Sequence, residues 1–286
     1  MIKGGCGPTD YCLLPTAYPP AIFAFVTPAF SVILQFMQIL LTNDDGIFAP
    51  GLAAMYRRLT GMGQVTVVAP ADGRSGSSHS ITLKPLACNK VDINGCFHGY
   101  SVQGAPADCV KLAAMEIHPE PFDLVVAGIN SGANVGINIY YSGTVAAAME
   151  GAFLGIGSVA VSLAADEPMD FDAAAAHCSA VIRKLLPVRP GYVININVPK
   201  LSVAGPRGVR VVAQSTNPLA ERYIRQNNCD SRIMYKLSSV LSHDNDPSGP
   251  HTDAVALAEG YVTVTALTSD MTNHDNNRHL SEIGWD

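Results

Sequence analysis

Short, almost uninterrupted apolar runs alternate along this chain with Ala-rich stretches of helical character. The runs "QILLTN" (38–43), "QVTVVAP" (64–70), "FDLVVAGIN" (122–130), "SVAVSLA" (158–164) and "YVININVP" (192–199) read as strands. They are close to continuous in apolar residues rather than alternating, as parallel strands covered on both faces require. Helices are expected between them at about 51–61, 105–117, 143–155 and 171–186. This order predicts an α/β fold, a Rossmann-like three-layer sandwich around a mainly parallel sheet.

The rhythm breaks between Ser215 and Pro250, where "RQNNCDSR" and "SHDNDPSGPH" are polar and turn-rich. Residues 215–250 are therefore expected to leave the sheet as a protruding C-terminal β-hairpin or arm, a kind of element that often exchanges between subunits. "TDAVALAEGYVTVTAL" then returns to a short helix and a strand within 251–286, so that 37–286 make a single domain with its core in 37–214.

The first 36 residues stand apart. No charged residue occurs from Tyr11 to Asn43, and "AIFAFVTPAFSVILQFMQILL" is long enough to span a bilayer. A signal or anchor and a buried extension are two readings. The third, adopted as the expectation, is that translation starts at Met37 and residues 1–36 are an over-called leader. Pro28 breaks the apolar stretch, which runs directly into a strand that the fold needs.

Composition narrows the function. The 286 residues are 48% hydrophobic and 15% charged, enough for a substantial core. The formal net charge of -6 and the lack of a basic run argue against a nucleic acid polymer as partner. The 7 cysteines form no CxxC pair and suit buried thiols in a reducing, cytoplasmic setting.

Ligands of open α/β sheets bind beyond the carboxyl ends of the strands, so the residues following each run carry the functional signal. The first run ends in Asn43-Asp44-Asp45-Gly46, the second in the Gly/Ser-rich "APADGRSGSSHSIT" (69–82), and a later one in "AGINSGANVG" (127–136) with Asn130 at its tip. "YYSGTVAAAMEG" (140–151) opens a helix. Two carboxylates, a serine hydroxyl and an asparagine carbonyl are hard oxygen donors suited to Mg²⁺ or Mn²⁺. Ser142, Gly143 and Thr144 at a helix N-terminus make a phosphate seat. Each element also has an ordinary reading: a turn at Asp44–Gly46, an N-cap at Ser142, a loop brace at Asn130, a satisfied ring at His79. What favours chemistry is that all fall at one predicted edge of the sheet.

These stretches resemble the SurE family of stationary-phase survival nucleotidases, in "ILLTNDDGIFAPGL", "VVAPADGRSGSSHSIT", "GAPADCVKLA", "DLVVAGINSGANVG", "YSGTVAAAMEGAFLGIGSVAVSL", "ININVP", "HTDAVALAEGYVTVTAL" and "DMTNH", in the family's order. The resemblance implies a metal-dependent phosphatase releasing phosphate from nucleoside 5′-monophosphates, with 3′-monophosphates and short polyphosphate as further substrates. It also implies one divalent cation per subunit and a homodimer or homotetramer joined through the arm, with no membrane partner. Carried over by motif, Asp44, Asp45, Ser75 and Asn130 become metal ligands. Asn43, Asn134, Ser142, Gly143 and Thr144 become phosphate contacts. On physical grounds, apart from the resemblance, Asp44 and Asp45 are the expected catalytic pair, and one of them, Asp45 in preference to Asp44, is expected to orient or deprotonate the attacking water. The chain departs from the pattern at Ile137-Asn138, Ala105 and Ala266.

Two other classes compete. A signalling receiver domain also places adjacent acids after its first strand. It is much shorter, and needs an acceptor Asp where this chain has Asn130. A nucleotide-binding module without turnover would not need so complete a set of metal donors.

Overall fold

The computed structural model describes residues 37–93, 95, 97–202, 205–216, 220–226, 233–240 and 252–285. The expected leader 1–36 lies outside them. Among the described residues nine strands form one sheet in the order β3-β4-β2-β1-β5-β6-β7-β11-β8. These are β1 (Gln38–Thr42), β2 (Gln64–Pro70), β3 (Cys88–Ile93), β4 (Phe97–Val102), β5 (Leu124–Ser131), β6 (Gly157–Leu163), β7 (Val193–Val198), β8 (Val209–Val211) and β11 (Val262–Leu267). From β4 through β7 every pairing is parallel, whereas β3 and β11 run antiparallel to β4 and β7.

The two sides of β1 explain its continuous apolar run. Ile39 and Leu41 pack into one core with helices α1 (Pro50–Leu59) and α4 (Phe171–Leu185). Leu40 packs into a second core with α2 (Pro106–Leu112) and α3 (Gly143–Phe153). All three side chains are fully buried, so neither face has room for a polar position. The expected helix over 105–117 is α-helical only to Leu112 and continues as a π turn over Ala113–Ile117.

The chain builds outward from β1 in both directions, to β2 and β4 on one side and to β5, β6 and β7 on the other. The crevice between the carboxyl ends of β1 and β5 is therefore the topological switch point. Helix α1 starts beside it, with Pro50 at its first position. Gly51 sits so close to β5 that a Cβ there would lie 2.1 Å from the Ile129 carbonyl oxygen. Gly51→Ala is expected to cost about 3 kcal/mol by forcing helix and strand apart. The check is the thermal midpoint, which should fall by roughly 6–12 °C.

Beyond the sheet, β9 (Ala220–Gln226) and β10 (Met234–Val240) form an antiparallel hairpin, α5 (Asp253–Ala258) leads into β11, and α6 (His274–Ser281) closes the described chain. No helix among the described residues is long and apolar enough to cross a membrane.

Candidate functional site

The end of β1 delivers Asn43, Asp44 and Asp45 into the switch-point crevice. Asn43 is fully buried and its amide donates to the Gly46 carbonyl at 2.9 Å, closing the turn that Gly46 permits with φ of 101°. Its Oδ1 is buried and has no hydrogen-bond partner.

Asp44 is 4% exposed. Burial raises its carboxyl pKa from 3.8 to about 6 against the lowering effect of Thr144, and the neighbouring Asp45 pushes the same way as burial. The Thr144 hydroxyl donates a very short hydrogen bond to Asp44 Oδ1, and the Thr144 backbone N–H also supports the carboxylate. Asp45 is raised as well, by desolvation, while its Oδ2 accepts a 2.9 Å hydrogen bond from the Ser131 N–H. Among the described residues neither acid forms an ion pair with Lys, Arg or His.

Neighbouring backbone draws the other expected ligands toward this pair. The Arg74 N–H donates to the Asp44 carbonyl at 2.7 Å, which brings in the loop carrying the exposed Ser75. Asn130 adjoins the Ser131 that holds Asp45. It lies within β5 rather than at its tip, and its amide donates to the Gly132 carbonyl at 2.8 Å, leaving its own carbonyl oxygen as an acceptor. Gly143 packs directly on Asp44: a Cβ there would lie 2.8 Å from Asp44 Cβ and 2.9 Å from Ser77 Oγ, itself a buried oxygen without a partner.

The expected phosphate contacts divide into two groups. Gly143 and Thr144 touch Asp44. Ser142 Oγ is occupied in capping α3, accepting from the Val145 N–H at 3.1 Å. Asn134 is turned to β6 and β7, its side-chain amide donating to Ser162 Oγ at 2.9 Å while its backbone carbonyl accepts from the side-chain amides of Asn195 and Asn197. Asn134 thereby braces the loop that carries the 3₁₀ turn Gly136–Tyr140.

Several supporting residues carry no sequence signal of their own. Asp253 is fully buried and accepts from the Gly136 and Ser215 N–H groups at 3.0 and 2.9 Å, fixing the turn that precedes Ser142. Glu150, 3% exposed on α3, meets His79 Nε2 at 2.8 Å and Lys111 Nζ at 3.0 Å. It thus ties the 69–82 loop and α2 to the helix bearing Thr144. The ring of His79 is satisfied, as its ordinary reading required.

The donor set fits a hard divalent cation. Two adjacent carboxylates lack a protein counter-charge, the Thr144 hydroxyl meets Asp44, the loop bearing Ser75 and the strand bearing Asn130 are tied to them by neighbouring N–H groups, and among the described residues no group of three His, Cys, Asp or Glu side chains offers an alternative metal site. The strained ionisation of Asp44 gives a prediction for the metal-free chain. A carboxyl raised in the folded state adds stability that is complete below its unfolded value of 3.8 and lost as pH rises through about 6. In EDTA at pH 8, Asp44→Asn should recover roughly 3 kcal/mol and raise the thermal midpoint by several degrees. At pH 4 the difference should vanish, which a pair of melting curves will show.

Fold and site together define a Rossmann-like α/β protein with an acidic, oxygen-rich crevice at its switch point and a capped helix N-terminus against it. Residues 39–221 match the family model described as survival protein SurE. The chain is 43% identical over 243 residues to a protein named 5′-nucleotidase SurE from Syntrophobacter fumaroxidans, spanning 84% of this chain and 96% of that one. Its identity to the protein of the same name from Rhodopirellula baltica is 44% over 243 residues, spanning 84% and 95%. The crystal structure of SurE protein from Aquifex aeolicus superposes with a TM-score of 0.73 at 36% identity, covering 86% of this chain and 100% of that one. The chain belongs to the SurE family.

Proposed function

We propose that this chain is a 5′-nucleotidase that hydrolyses nucleoside monophosphates to nucleoside and phosphate with a divalent cation, Mg²⁺ or Mn²⁺, held at Asp44 and Asp45. The observation that carries this reading is an uncompensated carboxylate pair, Asp44 buried and Asp45 half-buried, with Asp44 packed against the N-terminus of α3. The curated relatives named above are 5′-nucleotidases, which supports the same substrate class.

Asp44, Asp45, Ser75 and Asn130 would hold the cation, which when bound neutralises the acids and polarises the phosphoryl oxygens. Asn43 keeps its unpartnered Oδ1 at the turn below. Thr144 fixes the orientation of Asp44 from the positive end of the helix, where a phosphate is also favoured. Asp45, held by Ser131 and less buried than Asp44, is positioned to orient an attacking water and accept its proton. The Ser142–Thr144 turn stabilises charge that grows on the phosphoryl oxygens as the P–O bond breaks.

Phosphate release from a panel of 5′- and 3′-monophosphates and short polyphosphate, with Mg²⁺, Mn²⁺ or EDTA, tests the proposal. Release from 5′-monophosphates that stops in EDTA is expected; a folded chain that releases none would sink it.

Oligomerisation through the 215–250 arm belongs to the same proposal. Tyr223, Ile224, Met234, Tyr235 and Leu237 of the hairpin are exposed in the single chain. A two-stranded hairpin is marginal unless its apolar groups pack elsewhere. Tyr223→Ser with Tyr235→Ser is expected to lower the mass seen by sedimentation equilibrium; an unchanged mass would exclude these rings from the interface.

A further inference from the structure

The 3₁₀ turn Gly136–Tyr140 feeds directly into the Ser142–Thr144 turn, and backbone hydrogen bonds join the two without a gap. The Asn138 N–H donates to the Val135 carbonyl at 3.2 Å, the Tyr141 N–H to that of Asn138 at 3.0 Å, and the Ser142 N–H to that of Ile139 at 3.4 Å. Ser142 in turn accepts from the Ala146 N–H at 3.1 Å, inside α3. A displacement at Gly136 is therefore passed on to the start of α3 rather than absorbed by a slack loop.

What holds Gly136 comes from a remote part of the chain. Asp253 Oδ2 accepts from the Gly136 N–H at 3.0 Å, across 117 residues of sequence. Its Oδ1 accepts from the Ser215 and Ala254 N–H groups at 2.9 and 2.8 Å. The Gln214 side-chain amide adds a 3.0 Å bond to the Gly136 carbonyl. Asp253 is itself pinned, since its N–H donates to the Ala213 carbonyl at 2.8 Å. An ordinary helix start accounts for the Ala254 bond alone; the other two join separate segments.

The carboxylate is an expensive choice for this junction. Asp253 is fully buried, and among the described residues it forms no ion pair. Desolvation holds its carboxyl above the ordinary value of 3.8, although the N–H groups pull it down. A neutral asparagine would avoid that cost, but it has a single acceptor oxygen, and its amide would confront one of the three donors. Hydrogen bonds to a charged acceptor are also roughly twice as strong as neutral ones.

We infer that Asp253 is a positioning residue of the reaction: through Gly136 and the 3₁₀ turn it sets the place of the Ser142–Thr144 turn relative to the acids after β1, and so governs how tightly the crevice holds phosphate. Its effect on turnover rests on the nucleotidase reading; its effect on phosphate binding does not. Asp44 and Asp45 follow β1 in the middle of the sheet, so cation binding is spared.

Asp253→Asn in the full chain is measured in three ways. Phosphate release from AMP gives kcat and KM, ³¹P NMR with Mg²⁺ present gives the affinity for inorganic phosphate, and electron paramagnetic resonance gives bound Mn²⁺. The value of kcat/KM should fall about thirtyfold and phosphate affinity about tenfold, with Mn²⁺ binding unchanged. Gly136→Ala disturbs the same junction from its other side, because a φ of 58° disfavours a side chain, and should lower both about threefold. It decides the question should Asp253→Asn fail to fold. Ile182→Val, at a buried core position of α4, should lower the thermal midpoint by a few degrees and change neither constant. A merely structural loss reduces the folded fraction and leaves the phosphate affinity of the remainder as it was. Unaltered phosphate affinity in both junction variants would overturn the inference, as would an equal loss in Ile182→Val. A parent chain that binds phosphate yet releases none from AMP would instead overturn the nucleotidase reading, and phosphate affinity would still decide the role of Asp253.

Discussion

Asp44→Asn is expected to reduce phosphate release from nucleoside monophosphates by about a thousandfold at saturating Mg²⁺. The substitution preserves shape and keeps an oxygen to accept from Thr144, so packing around β1 should be retained. What it removes is one of two charges that have no protein counter-ion. A divalent cation contributes several kcal/mol of charge stabilisation in such sites, and each 1.36 kcal/mol is a factor of about ten in rate. The same variant should be more stable in EDTA at pH 8, since the ionised Asp44 no longer has to be buried. Loss of activity together with a gain in stability separates a functional acid from a structural one. An inactive variant that also melts early in EDTA would mark Asp44 as a fold residue.

Gly143→Ala should cost about a hundredfold in kcat/KM, although alanine suits a helix better than glycine. The new methyl group meets Asp44 Cβ, Asp44 Oδ2 and Ser77 Oγ at 2.8, 3.1 and 2.9 Å. None of these is the far end of a long flexible side chain. Either the first turn of α3 retreats or Asp44 swings away from Thr144, and in both cases the acid and the helix N-terminus lose their alignment. Steady-state kinetics with a melting curve will decide: a large fall in kcat/KM with a midpoint shift of only a few degrees is expected. Full activity would show that the contact between Gly143 and Asp44 has no part in the reaction.

Much of this was legible because the core strands are buried on both faces. The run 64–70 forms β2 with the expected bounds, and the runs beginning at 38, 122, 158 and 192 match the bounds of their strands to within two residues at either end. The β3–β4 hairpin was not anticipated. Asn89, Lys90 and Asp92 face solvent on an edge strand, so β3 shows almost no apolar pattern. The three-residue β8 is too short to register.

Site residues show the same division. Asp44 and Asp45 announce themselves by adjacency after a buried strand, and Ser142 to Thr144 by the capping pattern. The contact of Thr144 with Asp44 spans 100 residues and exists only through the packing of α3 beside β1. The clamp of Glu150 on His79 and Lys111, and the hold of Asp253 on the Gly136 turn, are likewise tertiary. A buried acid on an Ala-rich helix gives no sign in sequence of the partner it meets.

The most direct measurement of the central claim is a Mn²⁺ titration followed on one set of samples by electron paramagnetic resonance for bound metal and by phosphate release from AMP. The parent chain is expected to bind one Mn²⁺ per subunit, with release rising in step with occupancy, and Asp44→Asn to lose both together. Phosphate release that persists undiminished in EDTA, or that continues in Asp44→Asn, would contradict the assignment of this acidic crevice as the catalytic site.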